Sequence, residues 1–213
     1  SCCAAPGART VSARMKPPLL YYVRHGETDW NVEGRLQGRQ DTDLNAVGRQ
    51  QAQACAGILR GLCARDGRAM TDYAYVSSPL RRARETMEIM RAALGLDRDA
   101  YRVDPRLREI EFGEWEGMTL AEVRSREAPA LARRERDKWS FTPPGGESYA
   151  DVSARVREWH ASLAGDAVVV AHGGTARALI EVLGIASPET APLIEIGQGI
   201  VYCFADKKIS RYG

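Results

Sequence analysis

Three histidines occur in the chain, His25, His160 and His172, and two of them share a setting. His25 ends Val23-Arg24-His25, just after the apolar run Leu19–Val23, and Gly26 follows it. His172 follows the apolar run Ala167–Ala171 and precedes Gly173-Gly174. Such runs read as buried strands. In open α/β sheets, ligands bind beyond the carboxyl ends of the strands. Two imidazoles delivered to that edge can meet in one pocket, as a nucleophile or base and a second polar group. A glycine after each lets backbone approach a ligand closely. Gly173-Gly174-Thr175 leads into a predicted helix, whose N-terminal N–H groups favour an anion such as phosphate. His160 lies near the charged face of an amphipathic helix and reads as structural.

A phosphoryl group needs positive charge around it. Arg24 adjoins His25, and Arg81, Arg82 and Arg84 follow Ser77-Ser78-Pro79 at the start of a predicted helix. A guanidinium fork binds two phosphate oxygens at once. Cations are unfavourable at a helix N-terminus unless an anion offsets them, so one of this cluster is a candidate ligand. Glu109 and Glu111 supply carboxylates within one segment. If that segment is extended, both face the same way and either could act as acid or base.

The elements that must position these groups alternate. Strands are predicted at Leu19–Val23, Tyr73–Ser77, Tyr101–Val103 and Ala167–Ala171, with a closing hairpin, Ile200–Phe204 and Lys208–Arg211, around Asp206. Helices are predicted at Asn45–Leu62 (stripe Val47, Ala54, Ile58, Leu62), from Ser78 (N-cap) and Pro79 to Leu94, and from the capping box at Thr119 to Pro129. Two more run Ser148–Leu163 and Thr175–Leu183. Apolar strands alternating with helices imply an α/β fold with a mostly parallel central sheet covered on both faces. Arg124–Lys138 is charge-dense and reads as an exposed helical insertion.

Thirty basic residues against 28 acidic give a net charge of +2, too balanced for a generic nucleic-acid or membrane-surface binder. No apolar stretch approaches the ~20 residues a membrane span needs. The five cysteines, an odd number with no C-x-x-C pair, argue against a zinc site or disulfide framework, so a cytoplasmic location is expected. Residues 1–14 lack acids and apolar runs and are expected to form a disordered extension. Gly197-Gln198-Gly199 lacks the third glycine of a dinucleotide fingerprint and enters a predicted strand.

Arg24-His25-Gly26-Glu27-Thr28 with Asn31 resembles the signature of the histidine phosphatase superfamily, which includes cofactor-dependent phosphoglycerate mutases. The similarity continues in order through Gly34–Gly38, Asp41, Leu44 and Gly48, then Ser77–Ala83 and Thr86, then Leu107–Gly113 with Trp115-Glu116-Gly117. Gly146-Glu147-Ser148 and Val170–Gly174 complete it. The resemblance implies a three-layer α/β/α sandwich over residues 15–213, with a helical insertion around 118–147.

It also implies roles. His25 would become phosphohistidine; Arg24, Arg82 and His172 would bind the phosphoryl group; Glu109 would be the acid/base. Asn31 would assist at the phosphate, with Thr28, Gln37, Gly38 and Gly173 lining the substrate side. The expected reaction is metal-independent hydrolysis of a small phosphorylated metabolite, with no cofactor. The alternatives are a mutase, which would use 2,3-bisphosphoglycerate, and a non-catalytic phosphate-ester binder. The 63 positions between Glu109 and His172 are fewer than in the mutases and resemble the phosphatase branch. Against this, Arg133-Arg134 and the following Thr142-Pro143-Pro144 resemble a mutase segment that grips a second acidic group, although a solvated charged helix is the plainer reading. No nucleic-acid or membrane partner is expected, and an edge-strand homodimer is compatible with such a fold.

Overall fold

The computed structural model describes residues 17–213; the expectation for residues 1–14 lies outside them. Six strands form one sheet: β1 (Leu20–Arg24), β2 (Ala74–Ser77), β3 (Arg102–Val103), β4 (Ala167–Ala171), β5 (Val201–Ala205) and β6 (Lys208–Tyr212). Their order is β3-β2-β4-β1-β5-β6. β1, β2, β3 and β4 run parallel, while β5 and β6 close the other edge as an antiparallel hairpin. Asp206 and Lys207, both at positive φ, form its turn.

The helices are α1 (Asp29–Val32), α2 (Ala46–Arg65), α3 (Arg81–Ala93), α4 (Leu120–Arg136), α5 (Tyr149–Ala161) and α6 (Gly173–Val182). The period of 2 in β1 and β4 divides them between two faces. Leu20, Tyr22, Val169 and Ala171 pack with α5 and α6. Tyr21, Val23, Val168 and Val170 pack with α2 and α3 on the other side. Helix, sheet and helix thus make the three layers.

Two expectations need correction. The buried stripe of α2 is Gly48, Ala52, Cys55, Ala56, Leu59, Leu62 and Cys63, whereas Val47 and Ala54 are exposed. Small residues on the sheet side let α2 lie close to the strands. Helix α3 starts at Arg81, with Leu80 rather than Ser78 at the N-cap. The Asp41 carboxylate accepts from Arg81 N (2.7 Å) and does the capping from across the chain. Helix α4 is interrupted as expected near Pro129: the backbone kinks at Glu127, two residues before it, and a second helical stretch follows. Its charged side is exposed, but Val123, Ala130 and Leu131 pack with the fully buried Trp115. Each large apolar side chain so buried contributes roughly 1.5–3 kcal/mol, enough to anchor this insertion.

Candidate active site

Chain topology brings the two histidines together. β1 and β4 are neighbours in register, with Arg24 opposite Ala171. The chain leaving β1 goes to the α2 face and the chain leaving β4 goes to the α6 face. A crevice opens where such connections part. His25 and His172 each lie one residue beyond their strand, and His25 N donates to Ala171 O (2.9 Å). Their rings sit 5.2 Å apart. Gly26 permits this approach: a methyl there would overlap the backbone of Gly48 at the start of α2.

His25 is buried, and its Nδ1 lies 2.7 Å from the Gly26 carbonyl. A carbonyl only accepts, so Nδ1 carries the hydrogen and Nε2 keeps its lone pair. Burial, then the guanidiniums of Arg82 and Arg24, hold this imidazole well below its ordinary pKa. The neutral, nucleophilic form therefore dominates at neutral pH. His172 is also held neutral by burial, Arg82 and His25. In this neutral form it adds no positive charge to the site. On titration by NMR, His25 is expected to stay neutral well below pH ~6.5, the ordinary imidazole value. Arg82→Gln removes a cation that repels the proton, so its titration should move upward; an unmoved or lowered value would contradict this electrostatic reading.

Arg82 is completely buried, its Nη atoms donating to Gln40 O (2.6 Å) and Gly38 O (2.8 Å). Burial pulls its pKa down to about 10, which still leaves it charged at neutral pH. Arg24 Nη1 donates to Ile196 O (2.8 Å), and burial lowers its pKa also. Arg24 Nε, Arg82 Nε and His172 Nδ1 are buried without a hydrogen-bond partner. Buried polar groups are ordinarily paired, and an unpaired charge is costly to bury. Arg24 and Arg82 line the cavity with His25, and His172 lies beside His25 without lining it, so the three nitrogens are candidates to bind an anion there.

Glu109 completes the group. Its Oε1 accepts from Ile110 N (2.9 Å) and its Oε2 from Gly174 N (3.2 Å). The N-terminus of α6, expected to hold phosphate, thus gives one N–H to this carboxylate. A side chain at residue 174 would overlap the Glu109 carboxylate and an Ile110 methyl, so any larger residue there would push Glu109 from its place. Glu111 makes an ion pair with Arg39 (2.9 Å). Of the two acids, only Glu109 lines the cavity.

The cavity measures about 160 Å³ and is lined by Arg24, His25, Asn31, Arg35, Leu36, Gln37, Gly38, Arg82, Glu109, Phe112, Gly173 and Arg177. Asn31 Oδ1 accepts from Thr28 N (3.1 Å) and Gln198 Nε2 (3.0 Å), which leaves its amide nitrogen for a ligand. Gln37 Oε1 is taken by Thr28 Oγ1 (3.0 Å) and Thr42 Oγ1 (2.6 Å), with the same consequence. Thr28 itself is buried behind this wall as the N-cap of α1, not on the substrate side as expected. Hollows of about 450 and 460 Å³ at the β2–β3 edge are larger, but neither is lined by a histidine.

Sequence reasoning misses Arg177, Gln198 and Ser78. Arg177 lies four residues beyond Gly173, one helical turn along the same face of α6, a spacing that could have found it. Gln198 also donates to His25 O (3.0 Å) from a loop with no local signal.

The profile of the histidine phosphatase superfamily (branch 1) matches residues 20–205. The chain belongs to the histidine phosphatase superfamily. Glucosyl-3-phosphoglycerate phosphatase of Mycobacterium tuberculosis is 39% identical over 178 residues, covering 78% of this chain and 74% of that protein. A mycobacterial glucosyl-3-phosphoglycerate phosphatase of known structure superposes with a TM-score of 0.73 at 35% identity, covering 87% of this chain and 89% of that one. The 2,3-bisphosphoglycerate-dependent phosphoglycerate mutase of Beijerinckia indica is 35% identical over 189 residues, 85% of this chain and 88% of the mutase. Other mycobacterial relatives, 39% identical over 195 residues, are longer, and this histidine phosphatase chain spans 48% of their length. Among the described residues, no helix is long and apolar enough to cross a membrane.

Proposed function

We propose that this chain hydrolyses phosphomonoesters through a phosphohistidine at His25. The observation that carries this reading is the set of three buried, unpartnered nitrogens around a neutral imidazole whose lone pair is free. A phosphate monoester carries about two negative charges near neutral pH. Arg24 and Arg82 match them. Such preorganised charge stabilises a transferring phosphoryl group without needing to rearrange.

In the first step the His25 Nε2 lone pair attacks phosphorus and the ester P–O bond breaks. Glu109 gives its proton to the leaving oxygen. In the second, water attacks phosphorus and passes a proton to Glu109. The P–N bond breaks, its electron pair returns to Nε2, and inorganic phosphate is released. Nδ1–H stays on the Gly26 carbonyl throughout. All of these roles fall to side chains and backbone of the chain itself.

Water as acceptor is favoured by the short interval between Glu109 and His172 and by the phosphatase relatives. A phosphorus NMR time course in EDTA, with 3-phosphoglycerate and a trace of 2,3-bisphosphoglycerate, separates the readings. Free phosphate without isomerisation supports the hydrolase. Accumulating 2-phosphoglycerate without free phosphate would establish the mutase instead. If neither forms, an aryl phosphate in the same tube decides between another substrate and a binding module. The thiols of Cys55, Cys63 and Cys203 are free, which fits a cytoplasmic setting.

The substrate in this reading is a small metabolite with a second acidic group. Arg177 on the cavity wall is joined by Arg134 and Lys138, and among the described residues none of the three pairs with a carboxylate. Burial, then Arg134 and Arg177, push the Lys138 ammonium down to about 8, which marks an unneutralised cationic cluster. Arg133 is exposed and solvated. Arg134→Ala is expected to raise KM for 3-phosphoglycerate about 10-fold or more, the value of one charge-assisted hydrogen bond, and to leave p-nitrophenyl phosphate little changed. Arg133→Ala should change neither. Equal effects of Arg134→Ala on both substrates would sink this specificity.

A further inference from the structure

Ser78 is freed from capping α3, and the structure gives its hydroxyl another task. Its backbone N donates to Val170 O (3.0 Å), which pins it beside the end of β4. Its side chain is completely buried, with Oγ 2.7 Å from His172 Nε2. The same Oγ accepts from Leu80 N (3.3 Å).

These contacts decide where the hydrogens go. A hydroxyl has one hydrogen to give. If His172 donated from Nε2, Oγ would receive two donors and its own buried hydrogen would have no acceptor in the protein. If Ser78 donates to Nε2, every group at that end is satisfied. The remaining nitrogen, His172 Nδ1, then carries the imidazole hydrogen. That nitrogen is buried and unpartnered, on a ring 5.2 Å from His25.

We propose that Ser78 is a positioning residue that sets the tautomer of His172, so that Nδ1–H is held ready to donate to the transferring phosphoryl group. The proposal rests on the phosphoryl-transfer reading of the site. The opposite tautomer would present a lone pair to the anionic oxygens and repel them. Because both imidazoles are neutral in the empty site, the tautomer alone decides whether His172 donates or accepts there. The Tyr22 hydroxyl holds the backbone of the same residue, donating to His172 O (2.7 Å) and accepting from His172 N (3.1 Å). Ring orientation thus has its own support, and Ser78 is left to control the proton.

The test is long-range proton–nitrogen NMR of histidine-labelled, ligand-free protein near neutral pH, combined with kinetics on p-nitrophenyl phosphate. Wild-type His172 should show hydrogen on Nδ1 and none on Nε2; hydrogen on Nε2 overturns the proposal without any variant. In Ser78→Ala the Nε2–H form should appear. Its kcat should fall roughly 100-fold, as for loss of one preorganised donor, with a smaller change in KM. Ser78→Thr, which keeps the hydroxyl, should restore the Nδ1–H tautomer and most of kcat. An Ala variant with wild-type tautomer and kcat also overturns it. Failure of the underlying reading looks different: wild-type protein would then hydrolyse no phosphomonoester and form no phosphohistidine, whatever tautomer His172 shows.

Discussion

His25→Ala is expected to lower kcat by about 10⁴-fold or more, the scale of loss seen when a covalent nucleophile is removed. The size of the effect follows from the division of labour in the site. In the proposed mechanism Arg24, Arg82 and His172 bind the phosphoryl group, and none offers a free lone pair like that of His25 Nε2, since Nε2 of His172 faces Ser78 Oγ. Water would then have to attack the ester directly, with no nucleophile to split the reaction into two easier steps. Binding should survive, because the cradle atoms belong to other residues. Affinity for inorganic phosphate, measured by calorimetry, should remain within a few-fold of wild type. Near wild-type turnover by the Ala variant would contradict the covalent route. A large loss of phosphate affinity would instead mean that the substitution collapses the cavity.

Glu109→Gln is the second large effect. The carboxyl group accepts from two backbone N–H donors, one on each oxygen, so an amide of the same shape keeps one of these bonds and cannot cycle a proton. With an alkyl phosphate, whose leaving oxygen needs a proton, kcat should fall by about 10²–10⁴, the range for loss of general acid–base catalysis. With p-nitrophenyl phosphate, whose leaving group departs as a stable anion, the first step should be much less affected. The second step still lacks its base, so phosphohistidine should accumulate and a burst of nitrophenolate should precede slow turnover. Glu111→Gln, which removes an ion-pair partner of Arg39 rather than a cavity carboxylate, serves as the control and should stay near wild type. Equal losses in the two glutamate variants, or slow turnover of p-nitrophenyl phosphate by Glu109→Gln without a nitrophenolate burst, would remove Glu109 from the acid/base role.

The parts of the fold that bear on these outcomes differ in how far the sequence reveals them. β1 and β4 are legible because each is a continuous apolar run ending at a histidine and glycine, and their buried positions match that pattern on both faces of the sheet. The phase of α2 is not legible. Its sheet-facing residues include Gly48, Ala52 and Ala56, which carry little apolar signal but allow close packing, while the larger Val47 points outward. Ser78-Pro79 reads as a helix start because capping is assumed to be local. Only the tertiary structure shows Asp41 supplying the cap, so that Ser78 can reach His172. The same limit applies to the carboxylates. Segment 108–112 belongs to no strand, and Glu111 pairs with Arg39 instead of lining the cavity with Glu109. Gln198, which orients Asn31 across 167 positions, is invisible to any spacing argument.

The most direct test is to stop the wild-type reaction with alkali, which preserves phosphohistidine, and to map the modified peptide by mass spectrometry. The expected result is a transient phosphoryl group on His25 that rises during turnover, decays when substrate is exhausted and is absent from His25→Ala. Turnover with no phosphorylated histidine under this quench, or with the group on His172 or His160 instead, would contradict the assignment of His25 as the nucleophile.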